Sequence, residues 1–167
     1  LRGPEDIGRS AGEKAVRRLN PKKAETAQVP VVYDTRVARS LISHFASAVN
    51  GSSIARDTSF LKDRLGERVF GDGVTIVDDP HRRRGLRSKP FDAEGVANTS
   101  RKVIDNGRLT TWFLDLRSSR QLGLETTGHA SRGTSAPPSP SATNLYIAAG
   151  DLSPEDLMQD IKSGFYV

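Results

Sequence analysis

The sequence predicts an α+β fold, a mixed and mainly antiparallel sheet with flanking helices. Three observations carry this. Helical and β-prone segments follow one another without the regular strand-helix-strand alternation that builds a doubly wound parallel sheet. One β-prone pair is joined by Asn106-Gly107, the dipeptide best suited to the two positive φ angles of a type I′ hairpin turn. Several segments also open on residues that cap helices and close on glycine or proline.

The elements can be taken in chain order. Residues 5–19 place Ile7, Ala11, Ala15 and Leu19 at steps of four, with acids early and Arg17 and Arg18 late, the charge order the helix dipole favours. This amphipathic helix is expected to end at Asn20-Pro21. Residues 26–33 are β-prone but contain Pro30, which points to an edge strand or one beginning after the proline. Asp34 or Thr35 can cap a helix from Arg36 to about Val49, stopped by Asn50-Gly51.

Residues 59–65 suggest a short helix, and Val74 to Val77 a strand after the Gly71-Asp72-Gly73 turn. Residues 99–105 and 108–114 form the two arms of the Asn106-Gly107 hairpin. A short helix over 115–122 should end at Gly123. Residues 125–142, rich in Gly, Ser, Pro and Thr, read as a long loop, and loops of that length in compact domains tend to be functional or disordered. Thr143 to Ala148 should be a strand. Ser153, Pro154, Glu155 and Asp156 announce a last helix closed by Gly164. The chain then stops on the β-prone Phe165-Tyr166-Val167, so residues 1–167 are expected to be a single segment from the middle of a longer protein.

Composition sets further bounds. A chain of 167 residues that is 35% hydrophobic and 6% aromatic has the size of one domain with a lean core. The absence of cysteine removes disulfides, thiolate metal ligands and a cysteine nucleophile together. No apolar stretch approaches the eighteen or so residues needed to span a bilayer, and no secretion signal opens the chain, so a soluble, cytoplasmic protein without a membrane partner is expected. The net charge of +5 raises nucleic acid as a partner. The densest basic cluster, Arg82, Arg83, Arg84, Arg87 and Lys89, has no aromatic residue interleaved for base stacking, and a solvated loop is the simpler reading. A basic nucleic-acid-binding module stays as the alternative from another class.

Three stretches carry a family resemblance: Phe60 to Val96 (FLKDRLGERVFGDGVTIVDDPHRRRGLRSKPFDAEGV), residues 127–150 (TGHASRGTSAPPSPSATNLYIAAG) and the closing KSGFYV. Over nearly its whole length the chain resembles the TldD/PmbA peptidases of bacteria and archaea, and most closely the PmbA (TldE) branch. The resemblance implies a segment of a larger TldD/PmbA-type C-terminal domain. Active members carry an HExxxH helix in which two histidines bind zinc and the glutamate handles the proton of the attacking water, with a cysteine far downstream completing the site. Zinc chemistry of this kind needs about three protein ligands, an open position and a nearby base.

Aligning that helix on residues 36–49 puts the first histidine at Arg39, the glutamate at Ser40 and the second histidine at His44. A guanidinium offers no lone pair and a serine cannot replace a carboxylate base. No register restores the motif, since neither HExxxH nor HExxH occurs in the 167 residues. No catalytic or metal-binding residue is therefore assigned. The expected role is that of a non-catalytic subunit beside a zinc-bearing TldD-like paralogue, acting on unstructured or modified peptides. An active metallopeptidase with ligands outside this segment is the alternative.

Three residues are candidates for contact with peptide. His44 falls with Val37, Leu41 and Ala48 within about 60° on a helical wheel, which predicts a packed histidine in the apolar stripe and leaves peptide contact as a second role. His129 and Arg132 lie in the long loop, where family members keep a similar Thr-Gly followed by polar and basic residues. Asp78, Asp79 and His81 could suggest a metal cluster. Adjacent residues of a strand face opposite ways, so at most one aspartate could serve it, and a strand-ending turn is the expected role. Asp92 and Glu94 are read in the same way. Phosphate-binding loops and a G-x-S-x-G elbow are absent.

Overall fold

The computed structural model describes residues 2–167. The chain divides at Pro30/Val31 into two compact units. The first contains a helix, α1 (Pro4–Val16), with Pro4 at its first position and Glu5 and Asp6 in its first turn. It ends earlier than the sequence suggests, because Arg18 and Leu19 donate to carbonyls three residues back and Asn20 turns to a positive φ of 51°. None of its residues is buried.

The second unit opens with β1 (Val31–Val32), directly after Pro30. Asp34 then caps α2 (Thr35–Ala48), its Oδ1 accepting the Arg36 N–H at 3.0 Å. Asn50-Gly51 stops α2 as expected, but the same Asn50 restarts the chain as α3 (Gly51–Ala55) by accepting the Ser52 N–H at 2.9 Å. Gly51 is required by a close approach. Its N–H donates to Phe113 O at 2.8 Å, and a Cβ there would lie 2.6 Å from Phe113 O and from Leu114 Cδ2. Residues 59–65 form turns rather than the expected helix. The Ser59 hydroxyl accepts the Leu61 N–H and donates to Ala48 O, bending the chain so that Leu61 enters the core.

The main sheet follows: β2 (Ile76–Asp78), β3 (Arg101–Asp105) and β4 (Arg108–Leu109). Asn106 and Gly107 join the last two with φ of 45° and 82°, the two positive angles a type I′ turn requires. Next, α4 (Leu116–Leu122) begins in a capping box between Asp115 and Ser118 and ends at Gly123 in the left-handed region. The long loop holds a short hairpin, β5 (Ala130–Ser131) with β6 (Ser139–Pro140). After it come β7 (Leu145–Ile147), α5 (Pro154–Gln159) capped by Ser153, and β8 (Phe165–Tyr166). Here α5 stops at Asp160, short of the expected Gly164.

The four-stranded antiparallel sheet has the order β4-β3-β2-β7, so β7 is an edge strand. A core of Phe45, Val49, Ile54, Ile76, Ile104 and Phe113, among others, joins α2 and α3 to this sheet. Burying such side chains contributes about 1.5–3 kcal/mol each. Separately, β1 and β8 pair in parallel, Val31 opposite Phe165 and Val32 opposite Tyr166. The Tyr166 hydroxyl donates to Asp34 Oδ2 at 2.9 Å. That hydrogen bond to a carboxylate raises the Tyr166 phenol above its ordinary value.

Candidate functional site: the cleft beside the β7 edge

An open cleft of ≈ 490 Å³ lies between α2 and the last stretch of the main sheet. Ala38, Arg39 and Ile42 form its helical wall. Thr143, Leu145 and Ile147 form the strand side, and Arg87 reaches it from the loop after β2. No carboxylate lines it.

Among the described residues no strand pairs with the outer side of β7, and the ladder tells which groups that side offers. Asp79 N–H donates to Asn144 O at 3.2 Å and Ala148 N–H donates to Thr75 O at 2.9 Å, while Val77 sits opposite Tyr146. An antiparallel ladder alternates inward-bonded and outward-facing residues. With 144, 146 and 148 turned toward β2, Leu145 and Ile147 direct their N–H and C=O groups away from the sheet.

A buried polar network fixes this edge in place. Asp78, at the end of β2, is 0% exposed. Its Oδ1 accepts the Thr143 N–H at 2.7 Å, and its Oδ2 accepts the Thr143 hydroxyl at 2.5 Å and pairs with His129 Nε2 at 3.2 Å. The other ring nitrogen of His129 meets Thr127 Oγ1 at 2.8 Å, and the ring packs on Phe113 at 4.6 Å between centroids. Each ring nitrogen of His129 thus has a partner, Asp78 at one and Thr127 at the other. The chain entering β7 is thereby tied to β2 and to the segment entering β5.

Asn144 adds a second tie, from β7 to the basic loop. Its Oδ1 accepts the Arg87 N–H, and its Nδ2 donates to Asp79 O and Ser88 Oγ. Within that loop the Arg82 guanidinium stacks over the Tyr146 ring at 4.7 Å. Lys89 is turned inward onto Ala130 O.

The three candidates for peptide contact are not brought together. His44 is exposed rather than packed. The sequence allows two overlapping apolar stripes on α2, and the one carrying Ile42, Phe45 and Val49 takes the core, which turns Leu41 and His44 outward. His129 is 1% exposed and held inside the network, whereas Arg132 is exposed on the loop after β5. Asp78 and Asp79 separate as the strand alternation requires. Asp79 closes a turn by accepting the His81 N–H. Asp92 accepts three backbone N–H groups, from Glu94, Val96 and Ala130, and Glu94 accepts that of Leu116 at the start of α4. Among the described residues no group of three or more His, Cys, Asp or Glu side chains could hold a metal ion. The cleft instead presents Arg39, so its donor set does not fit a zinc site.

A helix laid beside the edge strand of a small antiparallel sheet, with that strand braced from behind by a buried carboxylate, defines an α+β domain with an open cleft. Residues 26–167 match the family model of the PmbA/TldA metallopeptidase C-terminal domain, and the chain belongs to that family. It is 44% identical over 130 residues to the metalloprotease PmbA homologue of Haemophilus influenzae, covering 78% of this chain and 29% of that protein. It is 37% identical to metalloprotease PmbA of Escherichia coli O157:H7 over 100% of this chain and 35% of that protein. The crystal structure of TldE from Thermococcus kodakarensis superposes with a TM-score of 0.84 at 25% identity, over 98% of this chain and 37% of that one. The chain thus spans about a third of the length of these relatives.

Proposed function

We propose that this chain is part of a PmbA/TldE-type subunit that grips extended peptide but does not itself cut it, with zinc supplied by a TldD-like paralogous partner in the cytoplasm. Its substrates would be unstructured or modified peptides. One observation carries the reading: Arg39, which the family resemblance aligns with the first zinc histidine, lines the cleft beside the β7 edge. A fixed cation there opposes a divalent metal. The neighbouring Ser40 provides no base, and its hydroxyl is spent on Val37 O at 2.6 Å.

The strand edge supplies the binding mode. A peptide laid against β7 would exchange main-chain hydrogen bonds with Leu145 and Ile147, each contributing about 0.5–1.5 kcal/mol net. Bonds to the main chain are indifferent to side-chain identity, which suits substrates of varied sequence.

The test is elemental zinc analysis of the purified protein, with peptide hydrolysis measured alone and after mixing with a TldD-like paralogue. Negligible zinc and activity only in the mixture are expected. About one tightly held zinc per chain, with chelator-sensitive hydrolysis by the protein alone, would overturn the proposal in favour of an active metallopeptidase whose ligands lie outside these residues.

A further inference from the structure

The cleft beside β7 carries positive charge on two sides and no negative charge. Arg39 stands on the α2 wall and Arg87 on the opposite rim. Both are exposed, and neither forms an ion pair with a carboxylate among the described residues. Arg87 spends one Nη on Ser141 Oγ at 3.0 Å and keeps its remaining donors. Behind Arg87 the loop adds Arg82, laid over the ring of Tyr146 in the edge strand itself. The other carboxylates near this edge are already engaged: Asp78 is buried in its network and Asp79 closes its turn onto His81. Elsewhere on the surface Lys62, Arg64, Arg68 and Lys102 each pair with an acid within six positions in sequence. Arg39 and Arg87 are thus two of several arginines without a carboxylate partner, set apart by lining one cleft beside the β7 edge.

We infer that the cleft selects extended peptides bearing carboxylates, with β7 holding the main chain while Arg39 and Arg87 hold acidic side chains or a terminal carboxylate. The inference rests on the peptide reading above and adds a preference to it. The side chains of an added strand alternate between two faces, so one register can send a carboxylate toward α2 while another faces the loop. Guanidinium groups form paired, geometrically specific hydrogen bonds with carboxylates. Both arginines are exposed, so salt screens that attraction and the preference is greatest at low ionic strength. An acidic chain is favoured over a nucleic acid because the strand edge offers peptide hydrogen bonds, and the loop interleaves no aromatic residue between its arginines for stacking.

The test is fluorescence anisotropy with the purified protein and short blocked peptides of one β-prone sequence, carrying Glu, Gln or Lys at alternate positions. A Gln peptide with a free C-terminal carboxylate forms a fourth probe, and single-stranded DNA a fifth. The Glu peptide should bind about tenfold tighter than the Gln peptide at low salt, the scale of two modest charge pairs. The gap should close near 1 M salt, where the screening length is roughly 3 Å. A gain confined to the free-carboxylate probe would assign the arginines to the terminus instead of side chains. The double variant Arg39→Glu with Arg87→Glu should reverse the preference toward the Lys peptide, an outcome that misfolding cannot imitate.

Equal affinity for the Glu, Gln and free-carboxylate peptides would overturn the charge preference and leave the peptide reading standing. Failure of every peptide to bind would overturn both. Competition by DNA for the same site, with tighter binding than any peptide, would reassign the surface to nucleic acid.

Discussion

Replacing Asp78 with alanine should destabilise the sheet domain severely, and the structure allows the size to be worked out. The carboxylate is fully buried and serves three donors: the Thr143 N–H, the Thr143 hydroxyl and His129 Nε2. An unsatisfied buried donor costs about 1–3 kcal/mol. The Thr143 hydroxyl can rotate to another partner, so the three do not simply add, and the expected loss is about 3–5 kcal/mol. Against a domain stability of about 5–15 kcal/mol, the urea midpoint should fall by roughly 2 M with the slope unchanged. Asparagine keeps the volume and one acceptor for the Thr143 N–H, while the hydroxyl and the imidazole can both switch roles to accept from its NH2. Asp78→Asn should therefore lose only about 1–2 kcal/mol. Hydrogen exchange should locate the damage, with the amides of Thr143, Tyr146 and Ala148 losing protection before those of β3. A loss below about 1 kcal/mol for Asp78→Ala, or equal losses for the two variants, would refute the assignment of this network as the brace of the β7 edge.

Three further outcomes follow from other sites. Gly51→Ala should cost about 1–3 kcal/mol by overpacking, because its Cβ would collide with Phe113 O and Leu114 Cδ2; an unchanged thermal midpoint would contradict this. His44→Ala should change stability by no more than about 0.5 kcal/mol, as for exposed positions in general, whereas a loss above about 1 kcal/mol in urea unfolding would restore the packed histidine. Tyr166 holds its proton more tightly folded than unfolded, so the stabilisation it gives is complete below the ordinary tyrosine range and is lost as pH rises through the raised folded value. A spectrophotometric titration should show one tyrosine ionising late in the native protein, and Tyr166→Phe should remove both that signal and the associated alkaline loss of stability.

The local rules of the chain were legible and its long-range bonds were not. The Asn106-Gly107 hairpin, the Asp34 and Ser153 caps, and the Gly123 stop lie where the sequence places them, because each depends on residues within a few positions. The restart of the chain at α3 was missed because Asn50-Gly51 reads equally well as a stop, and only Phe113, distant in sequence, shows why the glycine is needed. The reading of His44 failed on a helical wheel where two stripes overlap, and Phe45 and Val49, more apolar than His44 and Ala48, take the core. The network of Asp78, His129 and Thr143 carries no sequence signal, since its members belong to separate segments and become partners only when β7 docks on β2. Arg39 and Arg87 drew notice for other reasons, one as a missing zinc ligand and one as part of a basic loop, and only the fold brings them to opposite sides of one cleft.

The pairing of β1 with β8 also has a meaning for synthesis. Chains emerge from the ribosome N-terminus first, so β1 and the cap of α2 appear long before their partners. Asp34, which starts the helix that walls the cleft, receives the Tyr166 hydroxyl and donates its own N–H to Val167 O at 2.7 Å. Contacts between such distant residues are slow to close and late to reward the chain. The start of the helix that walls the cleft is thus secured only when residues 165–167 arrive, and a nascent chain stalled before Phe165 would present the β7 edge beside a helix whose N-terminal end is not yet held.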